Sequence, residues 1–254
     1  MMRFCEYLRR ITAVRKCVGC RSILSIDDFD EAFCSACNLA WQTAKTQSCP
    51  ECYGAASECS CMPRLLSSSG ALTLRKLFFY SPKKENEAQN KLVYYLKHHK
   101  SKRVSCFAAR ELCRAVKKEL DTLGVAAEDI LIVNMPRSRS SVQSYGFDQA
   151  KDVCLSLESL LGAKYCDAIR RRYGGKEQKK LNAAERQKNI KRLMCLRDGA
   201  AELVKGRYIL LFDDVVTTGA SMAACVSLLR KAGAKGILCF CIASEPKKEI
   251  SVNR

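Results

Sequence analysis

From about residue 72 onward, short unbroken apolar runs alternate with stretches whose apolar residues recur every three or four positions. Leu72–Tyr80 reads as a strand closed by a turn at Ser81-Pro82. Asn86–His98 has Leu92, Tyr95 and Leu96 at helical spacing, and Val104, Phe107, Ala108, Leu112, Val116 and Leu120 mark a second, amphipathic helix. Ile130–Val133, Tyr208–Phe212 and Ile237–Ala243 are continuous apolar runs, as in strands covered on both faces. Helices are predicted from about Asp148 to Leu161 and from Ser221 to Ala232, the second ending at Gly233 as a C-cap would. Strands and helices joined by short connections predict right-handed βαβ units, hence an α/β fold with a parallel sheet flanked by helices.

The first 66 residues follow neither pattern. Nine of the 17 cysteines lie within the first 61 residues, and eight of these form close pairs. Cys17-x2-Cys20 and Cys34-x2-Cys37 are followed by Cys49-x2-Cys52 and then Cys59-x-Cys61. A Cys-x2-Cys turn aims two thiolates at one tetrahedral ion, and two such turns complete a closed four-thiolate site. The first quartet therefore reads as a structural zinc site whose metal supplies folding free energy. The second can hold another ion, although its Cys-x-Cys pair bends less naturally around one metal, so the count of ions stays at one or two. A double zinc ribbon-like module over residues 1–66 and an α/β domain over 67–254 are expected, with Pro63–Gly70 and its run of serines as a linker. The other cysteines stand singly among apolar residues, as small core residues do in a reducing compartment.

Charge changes this picture in one respect. The formal net charge is +18, of which residues 1–66 carry only +1. Residues 75–118 contribute +10 and residues 164–192 contribute +8. Two basic segments of this kind favour polyanionic partners, among them nucleic acid, a nucleotide or a phosphorylated sugar, although basic helix faces are often merely solvated. No apolar run approaches the roughly 20 residues that span a bilayer. Charged residues throughout Met1–Arg15 also break up any secretory leader. A cytoplasmic protein without membrane insertion is expected.

The most specific chemistry lies in Ile209–Ser221. Four apolar residues form a strand that ends in Asp213 and Asp214; Val215 and Val216 then anchor Thr217-Thr218-Gly219-Ala220-Ser221, which leads into a helix. Open α/β sheets place ligands at such strand ends. Paired carboxylates accept from the two hydroxyls of a ribose through charge-assisted bonds worth about 1.5–3 kcal/mol each. Backbone amides and hydroxyls at a helix N-terminus suit its 5′-phosphate.

This 13-residue stretch is similar throughout to the signature by which type I phosphoribosyltransferases bind 5-phosphoribosyl 1-pyrophosphate (PRPP). With the cysteine pairs, the chain resembles the ComF family, bacterial phosphoribosyltransferase-like proteins associated with competence. Leu92–Lys97, Tyr145-Gly146-Phe147-Asp148-Gln149, and Gln178, Leu181, Arg186 and Asn189 resemble further family segments in order and spacing. The resemblance implies a transferase fold and Mg²⁺ accompanying PRPP. It also implies displacement of pyrophosphate at the anomeric carbon, with Asp213 and Asp214 closest to the chemistry and an acceptor that stays open. Arg137 and Arg139 fall where such enzymes bind pyrophosphate, whereas Ser141 and Tyr145 occupy positions at which relatives carry arginines. The basic stretch Arg170–Lys191, with Gly174-Gly175 as hinge, is expected to act as a lid. The competing expectation is an accessory protein for DNA uptake that binds single-stranded DNA and uses PRPP as a regulatory ligand.

Overall fold

The computed structural model describes residues 14–84, 87–172, 190 and 192–246. Within the cysteine-rich part lie helix α1 (Ser35–Thr46) and the short α2 (Arg64–Ser67). Then come β1 (Thr73–Phe79), α3 (Ala88–His98), α4 (Lys102–Leu123), β2 (Ile130–Asn134), α5 (Arg139–Tyr145) and α6 (Gln149–Leu161). Three short strands come next, β3 (Lys164–Tyr165), β4 (Ile169–Arg171) and β5 (Met194–Leu196), and then α7 (Ala200–Val204). The chain closes with β6 (Tyr208–Val216), α8 (Ala220–Lys231) and β7 (Gly236–Ser244).

Five strands form a parallel sheet in the order β1-β7-β6-β2-β3, and β4 pairs antiparallel with β5 beside it. The continuous apolar runs are explained by burial on both faces. Ile130, Ile132, Leu210 and Phe212 join one core with α3, α4 and α6. Leu131, Val133, Ile209 and Leu211, one residue out of phase, join a second core with α8 and α7. Because strand side chains alternate, each run must be apolar at every position to feed both layers. Among the described residues no helix is long and apolar enough to cross a membrane.

Two differences from the sequence expectation concern the N-terminal part. The stretch expected as a linker contains α2, whose Leu66 is 0 % exposed and belongs to the core on the α8 side of the sheet. The cysteine-rich part also shares the main core. Trp41 of α1 lies between Phe33, Phe78 and Phe107, with ring centroids 5.6–5.8 Å away. Its indole Nε1 donates to Glu111 of α4 at 3.0 Å, and Lys45 pairs with the same carboxylate at 2.6 Å. The aromatic burial and the satisfied indole proton make this an anchor, not a surface contact.

Trp41→Ala is expected to cost about 3–5 kcal/mol of global stability, the range for deleting a large buried ring. A chemical denaturation curve should shift as one transition; a shift limited to a separate early transition would mean that the cysteine-rich part folds by itself.

Candidate functional site

β6 runs four residues past the apolar stretch Tyr208–Phe212, so both carboxylates stand within its final turns of pleat and not beyond it. The main chain itself cradles them. Asp214 N donates to Asp213 Oδ1 at 2.9 Å, and Val215 N donates to Asp214 Oδ1 at 2.7 Å. Asp214, 7 % exposed, accepts from Gln149 Nε2 at 2.8 Å through Oδ2, with Lys97 Nζ 3.8 Å from the same oxygen. Burial, reinforced by the like charge of Asp214, pushes the Asp213 carboxyl well above the usual carboxylate range.

A cavity of about 430 Å³ opens here, between the ends of β2 and β6. Asp213, Asp214, Ser221, Arg137, Lys97 and Gln149 contribute to its walls. Arg137 comes after β2, as a group for a second phosphate cluster would, but its guanidinium is engaged by protein. It donates to the Gln149 side chain, to Phe147 O at 3.3 Å and to Lys97 O at 3.2 Å, and it stacks 4.7 Å above the Tyr145 ring. Arg137 therefore holds together the two residues that contact Asp214. Arg139 opens α5, and its side chain lies outside the described residues. Residues 173–189 and 191 also lie outside them, and with them most of the expected lid, its Gly174-Gly175 hinge, Gln178, Leu181, Arg186 and Asn189.

Asp148 caps α6 by accepting from Ala150 N and Lys151 N at 3.0 and 3.2 Å. Burial raises its carboxyl above the ordinary value. The cap fixes the start of α6 and thereby aims Gln149 across at β6. His98, at the end of α3, is held below the usual imidazole value by burial and by its neighbours His99, Arg137 and Lys97.

The turn after β6 is divided. Ser221 faces the carboxylate cavity, whereas Thr217 and Thr218 are exposed and face a neighbouring cavity of about 480 Å³. Gly219 is the N-cap of α8 with φ 72°, the left-handed region that favours glycine. A Cβ there would come within 3.2 Å of Pro63, so packing against α2 also requires the small residue. The first amides of α8 have no intrahelical acceptor and point into the turn, an arrangement suited to an anion.

The eight paired cysteines come together as two groups, Cys17, Cys20, Cys34 and Cys37, then Cys49, Cys52, Cys59 and Cys61, with the sulfurs of each group within 4.8 Å of one another. The leading turns of the two groups repeat each other. Cys17 N donates to Ser22 O and Arg21 N to Cys17 O, as Cys49 N donates to Gly54 O and Tyr53 N to Cys49 O. Arg21 and Tyr53 both take left-handed φ, 67° and 59°. Amides of Cys34, Glu51 and Cys61 donate to cysteine sulfurs at 3.3–3.4 Å. In each group one thiol is drawn down and another pushed up. Cys20 falls to about 6, chiefly through the Ser22 hydroxyl, while burial raises Cys37. In the second group burial raises Cys61 to about 12, while Cys49 falls to about 7 because amides of Cys52 and Glu51 overcome its own burial. Four thiols so crowded cannot all ionise without a cation among them, so both groups fit a metal ion with sulfur ligands.

Lys97 and Gln149 are the residues around Asp214 to which sequence reasoning gave no role. Each lay inside a family-like segment, but nothing local indicates that either meets a carboxylate 65 or more positions away.

These features define an α/β protein with a five-stranded parallel sheet and two cysteine groups able to hold metal. Residues 142–253 match the phosphoribosyl transferase domain family. The chain is 28% identical over 236 residues to the DNA utilization protein YhgH of Escherichia coli (strain K12), covering 91% of this chain and 98% of that one. The YhgH protein of Salmonella typhimurium (strain LT2) matches with the same identity and coverage. The similarity to these relatives thus runs along nearly the whole of both chains. Among solved structures, the phosphoribosylpyrophosphate synthetase of Mycobacterium smegmatis overlaps with a TM-score of 0.35 at 19% identity, over 54% of this chain and 33% of that one. The chain therefore spans about a third of that synthetase. Purine phosphoribosyltransferase from Pyrococcus horikoshii overlaps with a TM-score of 0.35 at 17% identity, over 55% of this chain and 75% of that one.

The raised Asp213 carboxyl sets a stability prediction. Its ionised form is disfavoured by folding, so it costs no stability below the unfolded carboxylate range, and the cost grows as pH rises towards the folded value. Asp213→Asn keeps an acceptor for Asp214 N and should melt higher than wild type at neutral pH, with the difference closing as pH falls below about 4. Parallel melting curves across that range would contradict it.

Proposed function

We propose that this chain binds PRPP, with its Mg²⁺, at the tip of β6, and works as a ComF-type protein linked to DNA uptake. The observation that carries the reading is the pair Asp213 and Asp214 near a parallel strand end, two residues before the turn that opens α8. Asp214 is held by Gln149 and faced by Lys97, leaving the carboxylate edges of the cavity for the ribose hydroxyls. Ser221 and the first amides of α8 take the 5′-phosphate, with Gly219 and Ala220 shaping the turn and Thr217 and Thr218, on the side of the neighbouring cavity, leading into it. Lys97 and Arg171 are cations on the cavity wall able to face a phosphate oxygen, a role sequence reasoning gave to Arg137 and Arg139. Mg²⁺ bound with PRPP supplies charge neutralisation at its pyrophosphate. The link to DNA uptake is supported by the similarity to YhgH, named for DNA utilization, along nearly the whole chain.

In a transferase reaction a nucleophile would form a bond to the anomeric carbon while the bond from that carbon to pyrophosphate breaks, the nucleophile's proton passing to solvent or a basic group. The transition state has oxocarbenium character, so positioning and charge stabilisation would dominate the rate. The second reading, a ligand-binding accessory with little or no turnover, is favoured by one observation: Arg137 is committed to Gln149 and two carbonyls, and Tyr145 lies beneath it. Single-stranded DNA is the partner in that reading, supported by the strong basic excess of residues 75–118.

The cysteine groups are read as structural zinc sites, one ion each, with all four positions filled by sulfur. Elemental analysis of the purified chain is expected to return about two zinc ions per chain by this ligand count.

PRPP with Mg²⁺ should raise the melting temperature of wild type and leave Asp213→Ala/Asp214→Ala unshifted. Lys97→Met should weaken binding by about 1.5–3 kcal/mol, the worth of a charge-assisted contact. Equal thermal shifts in wild type and the double variant would end the site assignment.

A further inference from the structure

The second cysteine group is built into the sheet at the ligand turn, in two ways. Lys76 of β1 is 1 % exposed, and its ammonium donates to Cys59 Sγ at 3.2 Å, to Cys59 O at 3.2 Å and to Cys61 O at 2.9 Å. A buried ammonium is stable only against compensating negative charge. Four thiolates around a divalent ion leave a net charge of about −2 by simple charge count, which is that compensation. Strand register then carries the attachment inward: Lys76 is opposite Cys241 of β7, and β7 pairs with β6 through Asp213↔Cys241 and Val216↔Ser244.

The second connection is short, covalent as far as Pro63 and by packing from there. Cys61 is followed by Met62 and Pro63, and Pro63 packs on Gly219 so closely that a Cβ there would lie 3.2 Å from its Cβ and 3.3 Å from its Cγ. Leu66, on α2 just beyond, lies 3.4 Å from the same point. The 480 Å³ cavity has Cys49, Cys61, Pro63 and Lys76 on one side and Thr217 and Thr218 on the other. The first cysteine group is placed differently, against α3, where Lys91 Nζ donates to Gly19 O at 2.9 Å.

We infer that the second cysteine group is a coupling site: a thiophilic divalent ion there fixes Cys61 and, through Met62-Pro63, the turn Thr217–Ser221, so that metal and phosphate ligand bind cooperatively. The inference rests on the reading of that turn as the phosphate site. Coupling of this kind is reciprocal. An ion in the second group raises ligand affinity, and the ligand tightens that ion by the same factor, while the ion in the first group is unaffected.

The experiment uses the full zinc-loaded chain and follows zinc release to a colorimetric chelator, with and without PRPP in excess Mg²⁺. Release of one ion is expected to slow by roughly fivefold or more, the lower end of ordinary coupling, while the other leaves at an unchanged rate. Cys52→Ser should abolish the protected phase, and Cys20→Ser should abolish the indifferent one. Pro63→Gly keeps all eight ligands and both carboxylates, so it should retain two ions and lose the protection. Protection that persists in Pro63→Gly, or equal slowing of both ions, overturns the proposed route. Ligand binding is measured separately by calorimetry: binding without protection overturns the coupling alone, and no binding overturns the phosphate reading along with it.

Discussion

Adjacent carboxylates at the end of a strand packed on both faces are a costly arrangement, and much of the site is organised around that cost. β6 cannot move its tip without disturbing two cores at once, because its alternate residues feed both. The carboxylates are therefore held where water is scarce, and they are managed by donors: two successive main-chain amides, the Gln149 amide and the Lys97 ammonium. Asp148 and Arg137 act one step further out, one by starting α6 at the right residue and the other by gripping Gln149 and the Lys97 carbonyl. The raised Asp213 carboxyl is what remains unmanaged. A ligand with two hydroxyl donors and an accompanying cation is the kind of partner that would relieve it.

Most of the sheet was legible in the sequence because burial on both faces leaves no polar interruption in a strand. Ile130–Val133, Tyr208–Phe212 and Ile237–Ala243 all lie inside observed strands, and the amphipathic spacing from Val104 to Leu120 lies inside α4. The continuation of β6 through Asp213 and Asp214 was not legible, since two acids read as the end of a strand. α2 was hidden by its serines: composition at Pro63–Gly70 says linker, but one leucine, Leu66, finds a complete pocket against α8 and orders the segment. Trp41 was hidden for a different reason. Among so many cysteines the expected driver of folding is metal, and a single aromatic gives no period to read. The order of Asp213, Asp214 and the turn along the chain shows that they are neighbours, whereas the pairing of Asp214 with Gln149 depends on where two distant strands and a helix cap meet.

The two cysteine groups share one local design and differ in their surroundings. The repeated hydrogen bonds about Cys17 and Cys49, and the left-handed Arg21 and Tyr53, mark the same turn used twice. Beyond that shared turn the two halves diverge. The first group completes itself around the start of α1 and rests on α3, while the second uses the extended stretch ending in Cys61 and rests on β1. Identical chemistry at the sulfurs is thereby placed in two mechanical settings, and the second leads through Pro63 to a packing contact with the turn after β6.

β1 is the outermost strand on its side of the sheet, and the second cysteine loop lies against it through Arg75, Lys76 and Phe79. An outermost strand offers unpaired backbone groups to any passing chain unless something shields it. With an ion held in that loop, as proposed, its removal would loosen the shield before the central strands felt any loss. The earliest symptom of metal depletion would then be clumping of otherwise folded molecules, strand against strand, rather than unfolding.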